Sequence, residues 1–289
     1  ILNGDKQWCT NVTDPKTTMI AVLARTPDKV LPNGKKIPQI SCFVVETAWP
    51  GVERVRRSTF MGLRGIANGS VTFKNVRVPA ENIIGKPGEG LKIALATLNV
   101  GRLGLPAAAI GVGMAFVDDA RWWVTTRQQW GQPVGKHQAI ARMISSYAAH
   151  LFAMKSMVYL TCALADRKNV DIRLEAAAAK YFCSETLYRI LDDYLQVRGG
   201  RGYERATSLY ERGERPTSVE MAIRDMRVGR IFEGSSQVMH LIMAREALDT
   251  HFKLVMPILQ PKPGQKLSKG EAMMKAAGFY STWLPKLFM

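Results

Sequence analysis

The apolar pattern changes character once along the chain. Up to residue 80 it consists of short runs: MIAVLAR (19–25), ISCFVVE (40–46) and GSVTFKNVRV (69–78), separated by turn-rich DPKTT and LPNGKK. β-Branched and aromatic runs bounded by turn formers predict strands. Pro79 closes the last run, and 82–90 reads as loop. From Gly90 the apolar spacing becomes helical. It predicts helices over 90–126, with a kink at Pro106, over 137–167, and over 171–198, with Asp171 as N-cap and Gly199-Gly200 as the stop. Shorter helices are expected over 217–231 and 235–250. Long helices with short loops predict an antiparallel bundle. A β segment followed by helices, with no βαβ alternation, gives an α+β chain and argues against a dinucleotide-binding doubly wound domain. The expected divisions are 1–85, a partial antiparallel β-domain; 86–250, an antiparallel α-helical bundle; and 251–289, a basic extension, read as an interfacial segment or the start of a further helical domain.

Hydrophobic content of 47% and charged content of 22% are ordinary for a globular protein, but the net charge of +16 is not. Such a balance favours anionic partners: nucleic acid, anionic lipid or a phosphate-rich coenzyme. A solvated basic surface is the bland alternative. The basic residues show no aromatic interleaving of the nucleic-acid kind, so that partner is not expected. Cys9, Cys42, Cys162 and Cys183 stand far apart without a CxxC, and with four His a structural metal is not expected. Reduced thiols in a reducing compartment fit this usage. The chain opens on ILNGDKQW, without Met or a leader pattern, and reads as a fragment; no uninterrupted apolar run reaches membrane-spanning length. The stretch 253–289 combines Lys253, Lys262, Lys266, Lys269, Lys275 and Lys286 with Phe279, Tyr280, Trp283, Leu287 and Phe288. That composition suits an interfacial segment on an anionic membrane.

Four motifs could carry chemistry. GDKQWCTN (4–11) offers an indole and a hydroxyl that could pack against and bond a flat heteroaromatic ring, or simply a buried Trp and a strand Thr. RQQWGQPVGKHQAI (127–140) offers a guanidinium suited to bidentate pyrophosphate contact, then a tight turn at Gly131; a helix-ending Arg with an ordinary loop is the alternative. QVRGGRGY (196–203) is a Gly-rich turn between helices, able to expose N–H groups to phosphate or to serve as a plain Gly C-cap. IFEGSSQ (231–237) places a carboxylate at a bend between helical segments. Arg102, in LNVGRLG, offers a guanidinium to a phosphate or a carboxylate, or forms a surface ion pair on a helix. Met143, Met154 and Met157 read most simply as core packing, although such soft residues would also suit the wall of a wide apolar channel.

In this order and at this spacing, from about Gly4 to about Leu248, the motifs resemble the C-terminal part of the acyl-CoA dehydrogenase family, most closely its very-long-chain branch. The resemblance implies an FAD enzyme that removes an α-proton from fatty acyl-CoA while the β-hydride passes to flavin, giving trans-2-enoyl-CoA. It implies Glu233 as the base. Trp8, Cys9 and Thr10 would lie beside the flavin. Arg127, Gln129, Trp130, His137 and Gln138 would contact the cofactor, as would Ser235, Ser236 and Gln237. Gln196, Val197, Arg198, Gly199 and Gly200 would meet the diphosphate arm of a neighbouring subunit's FAD. Asn99, Arg102, Phe232 and Gly234 would contact acyl-CoA. Expected partners are fatty acyl-CoA, electron-transferring flavoprotein and further copies of the chain as homodimer or homotetramer, with a peripheral membrane contact through 253–289 and no nucleic acid. The expected location is bacterial cytoplasm or mitochondrial matrix, peripheral at the inner membrane.

The family's N-terminal helical domain and the start of its β-domain have no counterpart in these residues. The segment 204–223 is longer and more charged than the family's commoner spacing and is expected to be exposed. Abstracting a proton α to a thioester needs a carboxylate in a dry pocket and donors on the thioester oxygen. Other acids are worse placed than Glu233: Glu211, Glu214 and Glu220 lie in the charged segment, and Asp225 is expected to pair with Arg224 or Arg227. Two alternatives stay open: an acyl-CoA oxidase using oxygen, and a non-catalytic membrane or scaffold protein that keeps the fold, against which the intact Glu233-Gly234 argues.

Overall fold

The computed structural model describes residues 1–167, 170–260 and 268–286. The first third holds strands β1 (Leu2–Cys9), β2 (Met19–Val30), β3 (Lys36–Glu46), β4 (Val52–Arg57), β5 (Gly69–Val76) and the short β6 (Ile83–Ile84). They form two antiparallel three-stranded sheets, ordered β1-β5-β4 and β2-β3-β6. Val12, Val22, Val45, Val71, Phe73 and Val76 are buried together as the core of this region. The three runs singled out by their apolar residues lie in β2, β3 and β5. The pattern missed β4, whose VERVRR leaves five residues exposed. It pairs on one side only, with β5, and charges are what an open edge tolerates.

The remainder is helical: α1 (Gly90–Thr126), a two-residue hairpin of β7 (Gln128–Gln129) and β8 (Gln132–Pro133), then α2 (Gln138–Ala165), α3 (Arg173–Arg198), α4 (Gly200–Tyr203), α5 (Ala206–Glu211), α6 (Val219–Met226), α7 (Ser236–Leu259) and α8 (Lys269–Lys286). Pro106 lies inside α1 without ending it. Asp171 accepts from the Arg173 amide at 3.1 Å, but Ile172, not Asp171, occupies the N-cap. The helix expected over 217–231 ends at Met226 and continues as a 3-10 turn, Arg227–Arg230. The helix expected to stop at residue 250 runs on to Leu259.

Helix α3 is the axis of the bundle and packs against α1, α2, α6 and α7. Its inward row is Ala176, Ala177, Lys180, Cys183, Leu187, Ile190, Leu191 and Tyr194, all buried. Trp123, Tyr147, Leu151, Met154 and Val158 fill the facing positions from α1 and α2. Small residues at 176 and 177 let the neighbouring helices approach, and Leu, Ile and Tyr fill the wider space below. By length and composition alone α1 and α2 could each cross a bilayer; here their inward rows build the bundle core. All four cysteines are free thiols, and burial pushes that of Cys183 up to about 12.

Asp119 of α1 ties the bundle together. Its Oδ2 accepts from the Tyr194 hydroxyl at 2.6 Å and the Thr217 hydroxyl at 3.0 Å. Arg198 approaches the same oxygen at 3.7 Å, and Arg215 approaches Oδ1 at 3.5 Å. The two guanidiniums also cover Trp123 and Trp122, each 4.2 Å from the ring centroid. Segment 204–223 is exposed over much of its length, as expected, but it is anchored: Leu209, Thr217 and Val219 are buried, and Glu214 is held between Arg201 and Arg212, whose hydrogen bonds lower its carboxyl to about 2. Arg198 is not the surface donor expected, since its side chain is 1% exposed.

The bundle meets the β region where Asp225 Oδ1 accepts from the Leu63 amide at 2.7 Å and Arg224 donates to the Met61 carbonyl at 3.1 Å. Asp225 is thus a backbone acceptor, not the ion-pair partner expected, while Arg224 pairs with Glu220. In the tail, Phe279, Tyr280 and Trp283 of α8 gather around His251 of α7, with Trp283 4.6 Å away between centroids and the Tyr280 hydroxyl 3.0 Å from Nδ1. Lys262, Lys266, Leu287 and Phe288 lie outside the described residues.

Asp119→Ala leaves a buried guanidinium and two hydroxyls without their acceptor. It is expected to cost about 3 kcal/mol, the scale for breaking a buried charge pair, measured as a lower urea midpoint with an unchanged slope.

Candidate active site

After the 3-10 turn the chain reverses through Ile231 to Gly234 before α7 begins. Ser235 caps α7, its hydroxyl accepting from the Val238 amide at 3.4 Å. The reversal puts Glu233 at φ +56° and Gly234 at φ +100°. The second needs glycine; the first costs a Cβ-bearing residue about 1–2 kcal/mol. A side chain on Gly234 would also collide with the Met239 methyl, at 2.3 Å.

Two buried cations hold the bend through its carbonyls. Arg102 Nε of α1 donates to Glu233 O at 3.3 Å, and Lys180 Nζ of α3 donates to Gly234 O at 2.7 Å. Asn99, one turn before Arg102, accepts from Arg102 Nη1 at 3.2 Å and fixes the guanidinium. Lys180 is fully buried. Burial, then the Arg102 charge, lower its ammonium to about 8, against the opposing pull of Glu233 and Glu185. The Glu233 carboxylate takes neither cation as a hydrogen-bond partner; its Oε2 is buried and bonded to nothing. It lies over the bare Cα of Gly101, where a Cβ would sit 2.9 Å from Oε2. The bend therefore presents a partly exposed carboxylate with one buried oxygen that no donor among the described residues occupies.

Beneath it, Glu185 of α3 accepts from Arg230 Nε at 2.8 Å and from the Ser236 hydroxyl in a short hydrogen bond. Burial alone would raise Glu185, but the bonds from Arg230 and Ser236 hold it below its ordinary value. Ser236 is therefore turned into the protein, 5% exposed, and does not face a cofactor as expected; its hydroxyl anchors the start of α7. Gln237 is exposed, and Phe232 is 38% exposed beside the carboxylate.

Most of the other expected contacts lie on open surface. Trp8 sits at φ +56° in an irregularity of the β1–β5 register, its carbonyl held by Asn68 Nδ2 at 3.0 Å. The bulge turns the indole outward, 69% exposed. Thr10 is exposed, and Cys9 is half-buried with its thiol raised by burial. In the β7–β8 hairpin, Trp130 and Gly131 both have positive φ, +50° and +77°, the arrangement of a two-residue turn that follows the twist of its strands. The turn lifts Trp130 to 88% exposure. His137 stiffens it by bonding the Gln129 carbonyl at 3.1 Å and meeting Trp130 edge-on at 5.3 Å. Gln138 opens α2. Arg127 is partly buried, 5.9 Å from the Trp123 centroid, and forms no ion pair among the described residues. Gln196, Gly199 and Gly200 are exposed, whereas the Val197 carbonyl is already taken by the Trp123 indole at 3.1 Å. Arg198 is committed to Asp119 and Trp123, so only its backbone remains available to a ligand.

Gly101, Lys180 and Glu185 had not been singled out from the sequence. Lys180 did carry a signal: with Arg198 at the far end, it is a charge on the otherwise mostly apolar inward stripe of α3. Gly101 looked like any small residue in an Ala- and Gly-rich helix.

Comparison with known proteins shows the family. Residues 88–248 match the acyl-CoA dehydrogenase C-terminal domain, and residues 1–76 the acyl-CoA dehydrogenase middle domain. The chain belongs to the acyl-CoA dehydrogenase family. It is 49% identical, over 99% of its length, to the probable acyl-CoA dehydrogenase FadE10 of Mycobacterium tuberculosis, spanning 43% of that protein. It is 33% identical, over 84% of its length, to the mitochondrial very long-chain specific acyl-CoA dehydrogenase of Mus musculus, spanning 35% of it. The chain thus spans less than half of either relative. Among solved structures, a chain in that of the electron transferring flavoprotein of Acidaminococcus fermentans superposes with TM-score 0.74 at 30% identity, covering 86% of this chain and 60% of that one. The Bacillus anthracis acyl-CoA dehydrogenase complexed with FAD gives TM-score 0.72 at 27% identity, covering 90% of this chain and 44% of that one.

Gly101→Ala separates stability from function. Ala is the better helix former by about 0.8–1 kcal/mol, so the variant should fold at least as well. Its Cβ displaces the Glu233 carboxylate, and turnover by the full-length enzyme should fall between about tenfold and a hundredfold, the scale of a small misplacement. Steady-state turnover together with the melting temperature checks both halves.

Proposed function

We propose that the protein carrying this chain catalyses FAD-dependent α,β-dehydrogenation of a fatty acyl-CoA, with Glu233 as the base that takes the α-proton. The observation that carries this reading is the Glu233 carboxylate, held at a left-handed bend with one oxygen buried and without a hydrogen-bond partner among the described residues. A carboxylate oxygen that no protein donor occupies is free to take a proton from a ligand. Arg102 and Lys180 strengthen that reading because they hold the backbone of the bend rather than neutralise its acid. The Glu233 N–H is one donor in reach of the same reacting centre, suited to the charge that develops on the thioester oxygen. Phe232 and Gly234 flank the approach, one excluding water and the other leaving room.

The residues fit an FAD. Trp8 and Trp130 expose large rings, Arg127 carries a charge with no carboxylate partner among the described residues, and a Cβ on Gly199 or Gly200 would meet nothing within 4 Å. In the bound enzyme Trp8 and Thr10 would border the flavin ring, and Arg127, Gln138 and the Gln196–Gly200 turn the phosphate arm. FAD supplies the acceptor for the β-hydride. The buried side of the site, Arg102, Lys180 and Glu185, stays with the bend. Similarity to a very long-chain specific enzyme supports a long acyl chain, and the Acidaminococcus structure supports an electron-transferring flavoprotein as the oxidant of the reduced enzyme. Homo-oligomerisation follows if the Gln196–Gly200 turn serves a neighbour's cofactor.

Glu233→Gln in the full-length protein should keep FAD and still bind acyl-CoA, yet bleach the flavin about a thousandfold more slowly, within the range for lost general-base catalysis. Near-normal bleaching in a stopped-flow trace would sink the assignment. Arg127→Ala should weaken FAD by about tenfold to a hundredfold, since a hydrogen bond to a charged group contributes about 1.5–3 kcal/mol. Full flavin occupancy after purification at low FAD would count against that contact.

A further inference from the structure

We infer that Lys180 is a positioning residue for the catalytic bend: its ammonium clamps the Gly234 carbonyl and thereby holds the left-handed Glu233 that presents the base. The inference rests on the reading of Glu233 as that base.

A lysine with no exposure on the central helix of a bundle is costly. Its stem occupies a core position between Ala176 and Cys183, where an apolar side chain would suffice for packing. Nor does it serve a structural ion pair, since among the described residues its amine lies within salt-bridge distance of no carboxylate. The 2.7 Å bond to Gly234 O is the contact it makes. That carbonyl belongs to the residue after Glu233, in a segment whose dihedral angles are strained and whose neighbouring carbonyl is held by Arg102. Two cations from different helices thus hold consecutive carbonyls of one turn. Releasing either lets the turn relax toward ordinary φ and swings the carboxylate off its seat over Gly101.

The charged groups facing the ammonium are Arg102 from α1, Glu185 from its own helix and Glu233 from the bend; burial and Arg102 together bring it to about 8. A charge-assisted bond is roughly twice as strong as a neutral one, so the clamp weakens as pH rises through that value. Stability moves the other way. Between about 8 and the ordinary 10.5 the unfolded chain binds the proton that the folded chain has lost, so this group makes the fold more stable as pH rises through that window. Loss of turnover without loss of fold is therefore the signature of the clamp.

The test compares wild type with Lys180→Met in the full-length holoenzyme. Met fills the same volume and removes a buried charge, so it should fold. Turnover should drop between about tenfold and a hundredfold, the worth of one hydrogen bond to a charged group, with KM little changed. Its rate should no longer decline above about pH 8 as the wild type's does. Lys180→Arg, which keeps a cation, should recover part of the rate and move the decline to higher pH. Independently of catalysis, hydrogen exchange across residues 231–240 should quicken in Lys180→Met and, after correction for intrinsic exchange, in wild type above pH 8. If Lys180→Met fails to fold, the wild-type exchange profile decides. Unchanged protection across 231–240 overturns the clamp even where Glu233→Gln confirms the base; quickened exchange supports it even where Glu233→Gln retains activity and the base assignment falls.

Discussion

The site depends on one meeting point, where the Glu233–Gly234 bend is caught between α1 and α3. Arg102 and Lys180 reach it from opposite helices and bond its two carbonyls, while Gly101 leaves the gap that the carboxylate occupies. None of these groups could work from a loop. Each needs a helix whose position is set by packing, because a buried cation bonded to a carbonyl tolerates little displacement before its desolvation goes uncompensated. The bundle core is thus the frame that keeps two buried charges in register with one strained turn.

Helix α3 does most of that holding. Its upper half carries Lys180 and Glu185 beneath the bend, and its lower end carries Tyr194 and Arg198 into the Asp119 node. The Gly199-Gly200 turn follows directly. The Glu233 bend and the Gly-rich turn are therefore fastened to opposite ends of one rigid rod of 26 residues, and segment 204–223 closes over the lower end through Thr217, Arg215 and the paired Glu214. What looked in the sequence like a charged excursion is a brace, because its charges pair with each other and with Asp119.

Much of the fold was legible because the apolar period shifts cleanly at Gly90 and the helices are long. The strand β4 was not, since an edge strand needs little apolar content and its four charges read as loop. The site was legible where chemistry is written in residue type: a Glu before a Gly, an Arg before a tight turn, paired glycines after a helix. It was not legible where role depends on which way a side chain turns. Arg198 and Arg127 look alike on paper, yet one is folded under Trp123 and the other has no carboxylate partner among the described residues. Ser235 and Ser236 are adjacent, yet one caps α7 and the other is spent on Glu185. Asp225 sits between arginines and bonds a backbone amide instead.

Lys180 shows why direction matters more than composition at such a site. Had the lysine reached the carboxylate rather than the carbonyl beside it, the same residues would make a salt bridge, and the acid would be a poorer base. Arg102 makes the same choice, bonding the carbonyl of Glu233 and not its side chain. A left-handed Glu is what allows this, since it turns the carbonyls toward the cations and the carboxylate toward Gly101. The backbone strain at Glu233 and the burial of two cations are then one arrangement: the strain separates the acid from its natural counter-ions, and the counter-ions, spent on the backbone, hold the strain in place.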